Sequence, residues 1–268
     1  MDTQQFDALI IGFGKAGKTL AVALANAGKK VALVERSPKM YGGTCINIAC
    51  IPTKVLVSAA EHHQSFDEAM AYKTTVVTRL NEKNYHMLAD RETVSVIEGE
   101  ASFVDDRTVK VVAGDDELIV SAPQIFINTG AESIIPDIPG VDKPFVYTST
   151  ELLDKMTQPK HLAIIGGGYI GLEFASTYTK LGTKVTVFER GDALLAREDP
   201  AIARATTEAL QAQGIEIVFS VDVTAIEGAS TATIRTVNHD DYAGYDAVLI
   251  ATGRRPATMS LNLPAAGV

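Results

Sequence analysis

Residues 7–36 read DALIIGFGKAGKTLAVALANAGKKVALVER, and residues 161–190 read HLAIIGGGYIGLEFASTYTKLGTKVTVFER. The two stretches align without a gap at a constant offset of 154 positions, so the chain holds one unit twice. Each copy is a short apolar strand, a glycine-rich turn, an amphipathic helix closed by Gly28 or Gly182, and a second apolar strand ending in Glu35 or Glu189. A single G-x-G-x-x-G is a weak signal, because glycine turns occur in many contexts; here the flanking strand and helix agree in both copies. The pattern is the βαβ dinucleotide fingerprint. Gly12 and Gly166 are placed for the tight turn, Gly14 and Gly168 for approach of a pyrophosphate to the backbone, and Gly17 and Gly171 for close helix–strand contact. The phosphates would then rest on a helix N-terminus. Glu35 and Glu189 each stand 18 residues past the third glycine, where a carboxylate accepts hydrogen bonds from a ribose diol. The plainer reading of each acid is a solvated strand end.

Between the repeats, residues 53–64 and 67–89 read as two helices covering a sheet. His62, His63 and His86 on them read as a solvated face rather than a metal site. From Val94 the apolar period changes to two, which predicts strands at 94–97, 101–104, 108–112, 118–120 and 125–128. Thr129-Gly130 closes the last, and the Pro-rich 135–140 is a linker, with a boundary near 141–153. After Glu189 a helix is predicted over 199–213, then strands over 215–219, 221–227, 232–237 and 245–251, before Thr252-Gly253-Arg254 repeats the earlier strand-Thr-Gly ending. The expectation is an α/β chain of two Rossmann-like domains, 1–145 and 146–268. Each has a parallel three-stranded core and a β-meander inserted before its final strand.

Composition narrows the function classes. With 268 residues and 46% apolar content the chain can build two cores. A net charge of -9 gives no overall attraction to phosphates or anionic headgroups, so neither nucleic acid nor a membrane is the expected partner. The N-terminus has no basic leader, and no apolar run reaching the roughly 18 residues of a membrane span is expected, so the expected location is the cytoplasm.

Only two cysteines occur, both in GGTCINIACIPTK, residues 42–54. Any thiol chemistry uses this pair. On one helix, Cys45 and Cys50 would lie about a turn and a half apart and could bridge after distortion of the first turn, giving a strained, reducible disulfide. The Gly-Gly-Thr lead-in reads as a helix start with Thr44 as its cap, and a helix N-terminus favours a thiolate. A structural disulfide, a metal site and two inert thiols compete with a redox pair. The first fits poorly with an acidic, cysteine-poor chain without an export signal, the second lacks further cysteine ligands, and the third leaves the flanking Gly-Gly-Thr and Pro-Thr-Lys unexplained.

Two dinucleotide units with a Gly-Gly-Thr-Cys-x4-Cys-x-Pro-Thr-Lys helix start just after the first resemble the class I pyridine nucleotide-disulfide oxidoreductases, the family of glutathione reductase, dihydrolipoamide dehydrogenase and mercuric reductase. The segments 11–20 and 40–48 look most like a branch associated with reactive-chlorine resistance and copper(II) reduction. The resemblance implies FAD on the first unit and NADH, or NADPH, on the second. It implies Cys50 as the thiolate against the flavin, Cys45 as the interchange thiol, Lys54 beside the flavin paired with Glu173, and Tyr169 as the gate of the nicotinamide pocket. A Lys–Glu surface contact is the plainer alternative for that pair. Lys15, Ala16, Arg36, Gly43, Thr44, Ala101, Thr129 and Gly130 match flavin-side positions, and Ile170, Arg190 and Gly253 match positions of the second nucleotide site. Electrons would pass from NAD(P)H through FAD and the Cys45–Cys50 disulfide to a small-molecule disulfide or a metal ion such as copper(II).

The chain also departs from that pattern. After residues 252–256 the family adds an Ala-x-Gly-Asp return to the flavin domain and an interface domain with a His-Pro…Glu pair. Neither motif is found here, so the expectation is a chain lacking the C-terminal part of the flavin domain and the interface domain. A homodimer is expected of a full-length protein, and a nucleotide-binding fragment without turnover or a direct NADH oxidase are the rival functions.

Overall fold

In a computed structural model of the chain, the described residues are 3–238 and 240–268. They form two compact units: Met1–Pro52 with Thr74–Glu132 and Pro256–Val268, and Thr53–Lys73 with Ser133–Arg255.

In the first unit, four parallel strands run in the order Val94–Glu98, Val31–Glu35, Ala8–Ile11, Ile125–Ile127. The two central strands are buried at every position, because both faces of this sheet are covered and continuous apolar runs are what such strands require. Ile10, Val31 and Leu33 pack with Ala21 of helix Lys15–Asn26, Tyr41, and Leu88 of helix Phe66–Ala89. Leu9, Ile11, Ala32 and Val34 pack on the other face with Phe103, Val109, Val111 and Val120. Those come from an antiparallel meander, Glu100–Phe103, Thr108–Ala113 and Asp116–Ser121, to which Thr3–Gln5 adds in parallel.

The second unit repeats the plan. Five parallel strands run in the order Val146–Tyr147, Ala247–Ile250, His161–Ile165, Lys184–Phe188, Glu216–Val218. Helix Tyr169–Lys180 buries Leu172, Phe174, Ala175 and Tyr178 in one core, which also takes Leu152 of helix Ser149–Asp154 and Leu210 of helix Pro200–Ala212. Ala163, Ile165, Phe188, Val248 and Ile250 pack on the other face with Ile226, Ala232, Ile234 and Tyr245 of the meander Val223–Glu227, Ala232–Thr236, Asp241–Tyr245.

The structure corrects several expectations. The cores have four and five parallel strands, not three, because Val94–Glu98 joins the first sheet at its edge and Val146–Tyr147 and Glu216–Val218 join the two edges of the second. The single strand expected over 245–251 is two. Asp246 turns the chain between them, its carboxylate accepting the N–H groups of Lys160 at 2.9 Å and His161 at 2.8 Å. The division at 145/146 is replaced by one at Ser133, and residues 256–268 group with the first unit, not the second. They are held there by Leu261 in the meander core and by Asn262 Nδ2 donating to Phe103 O at 3.0 Å. One stretch, Gly43–Glu61, is long and apolar enough by composition to cross a membrane, with mean hydropathy 1.4, contrary to the expectation that none exists. It is two helices, Gly43–Asn47 and Cys50–Glu61.

Candidate active site

The glycine turn of the first unit is shaped by the strand beside it. Gly12 has φ +106°, and a Cβ there would lie 2.7 Å from the carbonyl carbon of Asn128. Asn128 Nδ2 donates to Gly12 O at 3.0 Å, and a Cβ on Gly17 would come within 2.5 Å of that nitrogen. The second unit builds the same backbone contact with a different residue: a Cβ on Gly166 would lie 2.5 Å from the backbone O of Ala251. Both helices begin at a glycine N-cap, Gly14 and Gly168, that supplies no side-chain acceptor. Their first-turn N–H groups are therefore the donors that a pyrophosphate needs.

Glu35 and Glu189 are not solvated strand ends. Glu35 Oε2 accepts the N–H of Phe13 at 2.9 Å and Oε1 that of Ser37 at 3.2 Å. Glu189 takes the equivalent N–H groups of Gly167 at 2.8 Å and Gly191 at 2.7 Å. Each acid thus clasps its own glycine turn. Burial raises the Glu35 carboxyl above the usual range, against the pull of the Phe13, Ser37 and Arg36 N–H groups.

In the first unit, a cavity of about 320 Å³ opens over this turn, within the range of small-molecule sites. Gly12, Gly14, Lys15, Glu35, Arg36, Gly43, Thr44, Cys45, Ala101, Thr129 and Gly130 line it, which gathers the flavin-side residues expected from sequence, Ala16, Gly17, Cys50 and Lys54 apart. Ala16 is exposed on the first helical turn. Asn128, Ala257, Ser260 and Leu261 also line it. Sequence reasoning missed these four; the Asn-Thr-Gly strand ending was a signal for the first, and nothing marked the others.

Cys45 reaches the cavity through two left-handed glycines. Gly42 has φ +93° and Gly43 φ +72°, and a Cβ on Gly43 would fall inside contact with the Cα of Gly14, so only glycine lets the cysteine helix start on the nucleotide turn. The cap of this helix is Gly42, not Thr44, which lies within the first turn. The helix ends at Ile48, and a second begins at Cys50, so the thiols are on two helices and not one. Asn47 between them is fixed by donating to Tyr41 O at 3.0 Å and Gly43 O at 2.9 Å. Both thiols are free, Cys45 half-buried and Cys50 exposed. A hydrogen bond to Cys50, then burial, raises the Cys45 thiol pKa; Lys15 and Lys18 oppose this.

In the second unit Lys54 Nζ donates to Glu173 Oε1 as an ion pair, as the sequence motif predicts. Tyr169, the first residue of its helix, is 67% exposed and its hydroxyl donates to Glu198, which raises its pKa. Ile170 is half-buried against the core, while Arg190 and Gly253 are exposed near the strand ends. His62, His63 and His86 are exposed, the last with Nδ1 3.1 Å from Asp90.

These features recur in known proteins. A copper(II) complex of the HOCl-induced flavoprotein disulfide reductase RclA from Escherichia coli matches with a TM-score of 0.96 and 47% identity, over 100% of this chain and 60% of that one. Mercuric reductases of Staphylococcus aureus and Lysinibacillus sphaericus are 35% and 36% identical, over 98% and 100% of this chain and 51% and 52% of their own. The chain thus spans between half and three-fifths of the length of these relatives. The model of the pyridine nucleotide-disulphide oxidoreductases matches residues 6–268, and the chain belongs to that family.

Proposed function

We propose that the protein is a flavin-dependent oxidoreductase that moves electrons from NADH, or NADPH, through FAD and the Cys45–Cys50 pair to a disulfide or a metal ion such as copper(II). The observation that carries this reading is the contact of Gly43 with Gly14, which brings the helix carrying Cys45, one of the two cysteines, onto the nucleotide turn of the first unit. The likeness to a flavoprotein disulfide reductase with bound copper(II) and to mercuric reductases supports both acceptor classes.

The residues present fit FAD. The unoccupied N–H groups of the helix after Gly14 suit its pyrophosphate, Glu35 suits a ribose, and the absent side chain of Gly130, whose Cβ would meet nothing nearer than Thr44 Oγ1 at 3.8 Å, leaves room beside the cysteine turn. When bound, FAD takes up hydride equivalents from the reduced nicotinamide and hands two electrons to the disulfide. The chain's own residues then divide the thiol work. Two electrons and one proton open the Cys45–Cys50 bond into one thiol and one thiolate, and the raised Cys45 pKa favours the thiol at Cys45. Transfer of that proton frees Cys45 to attack an acceptor. Lys54, paired with Glu173, is a cation four residues after Cys50 on the helix that starts there.

The second nucleotide site uses Gly166, Gly168 and Gly171 with Glu189, and a carboxylate held there favours NADH over a 2′-phosphate. We assign the protein to the cytoplasm and expect a homodimer of the full-length form. Replacement of the two cysteines in flavin-loaded protein tests the division: Cys50→Ser abolishes the thiolate–flavin absorption band and Cys45→Ser retains it. Identical spectra from the two variants would contradict it.

A further inference from the structure

Lysines stand on the two helices whose residues Gly14 and Asn84 pack against the cysteine turn, in a chain whose net charge is -9. Lys15 and Lys18 lie on the helix that follows the glycine turn, and Lys83 on helix Phe66–Ala89. Burial, Lys15 and Lys83 all push the Lys18 ammonium towards losing its proton, and Cys45 is the group that acts the other way. Among the described residues, no carboxylate lies within ion-pair distance of Lys15, Lys18 or Lys83.

What holds Lys18 is neutral. Its Nζ donates to Asn84 Oδ1, and Asn84 is 5% exposed and fixed by donating its own amide to Leu80 O at 2.6 Å. The same amide rests on the cysteine turn: a Cβ on Gly42 would lie 3.1 Å from both its carbon and its nitrogen. A carboxylate in place of Asn84 would hold the ammonium equally well and cancel its charge. An amide fixes the cation without neutralising it. We propose that Lys18, positioned by Asn84, is the counter-ion of the Cys45 thiolate.

The consequence for electron transfer rests on reading Cys45 and Cys50 as the redox pair. A two-electron reductant that delivers a hydride opens the disulfide into one thiol and one thiolate, and the acceptor is attacked only when the charge is on Cys45. The hydrogen bond to Cys50 and burial oppose that state, Lys15 and Lys18 favour it, and these are the charged and titratable groups that act on Cys45. Lys18 is thus a positioning residue for the thiolate, and Lys15, which is exposed, is its weaker partner.

Alkylation by iodoacetamide tests the relation without flavin or turnover. In a Cys50→Ser background Cys45 is the sole thiol, so its rate against pH reads its ionisation alone. Lys18→Met should slow alkylation at neutral pH about threefold and move the midpoint of the profile upward, as loss of a nearby opposite charge does. Lys18→Arg should restore both. Asn84→Ala, which frees the ammonium but keeps it, should fall between, and it serves if Lys18→Met fails to fold by circular dichroism. Unchanged profiles in the folded variants, or a Lys18→Arg protein as slow as Lys18→Met, would overturn the proposal. A normal lysine effect in a protein whose thiols never accept electrons from NADH would instead remove the redox reading and leave the ion pair standing.

Discussion

Glu35 holds the N–H of Phe13, the middle residue of the glycine turn, at 2.9 Å, and the same relation recurs between Glu189 and Gly167 at 2.8 Å. The acid proposed to meet the nucleotide therefore also fixes its glycine turn. Only after that loop is fixed do Gly14 and Gly43 come close enough to seat the cysteine helix.

Glu35 is 8% exposed, and burial holds its carboxyl pKa above the usual range. The folded state then keeps a proton at pH values where the unfolded chain has released it. Stability contributed by this group falls as pH rises from the ordinary glutamate value through the raised one, and is level above. Urea unfolding across that window should show the fall in the parent and lose it in Glu35→Gln. Glu35→Ala, which leaves the Phe13 N–H without its acceptor, should cost about 1–3 kcal/mol at neutral pH. Equal pH slopes in parent and Glu35→Gln would contradict this account.

Lys54 and Glu173 form an ion pair between side chains that are 66% and 34% exposed. An exposed pair contributes at most about 1 kcal/mol to folding. A double-mutant cycle of Lys54→Met and Glu173→Gln should therefore give a small coupling in unfolding free energy. The same variants should slow thiol release by NADH in flavin-loaded protein at least tenfold, because the cation is placed for chemistry. A large stability coupling with unchanged thiol release would reverse that assignment.

Glu189 is clasped by Gly167 and Gly191 N–H groups, so its carboxylate is fixed where a ribose diol would lie. NADH should be used with higher kcat/KM than NADPH. Glu189→Ser should narrow the ratio about tenfold, with exposed Arg190 then available to a 2′-phosphate. Preference for NADPH in the parent protein would contradict the reading.

Much of this site was legible because backbone geometry dictates residue type there. The glycines at 12, 14 and 17 and their copies at 166, 168 and 171 each answer a steric demand within one βαβ unit, and that unit is local in sequence. Asn128 was not legible, since its hold on Gly12 depends on Ile125–Ile127 pairing beside Ala8–Ile11, more than a hundred residues away. The return of 256–268 to the first unit was equally hidden: it is made by two short 3-10 turns, Met259–Leu261 and Leu263–Ala266, with no period to read. Thr44 looked like a helix cap, but two left-handed glycines start that helix two residues earlier. Nothing in the sequence marks Lys18, because its partner Asn84 lies 66 residues away.

The central claim is that Cys45 and Cys50 accept the electrons of NADH. Oxidised protein loaded with FAD, mixed anaerobically with NADH and then alkylated, should gain two labelled cysteines per chain, at 45 and 50, and gain none when NADH or FAD is omitted. Flavin that is reduced by NADH while both cysteines stay unlabelled would show that electrons bypass the thiols and would contradict the account.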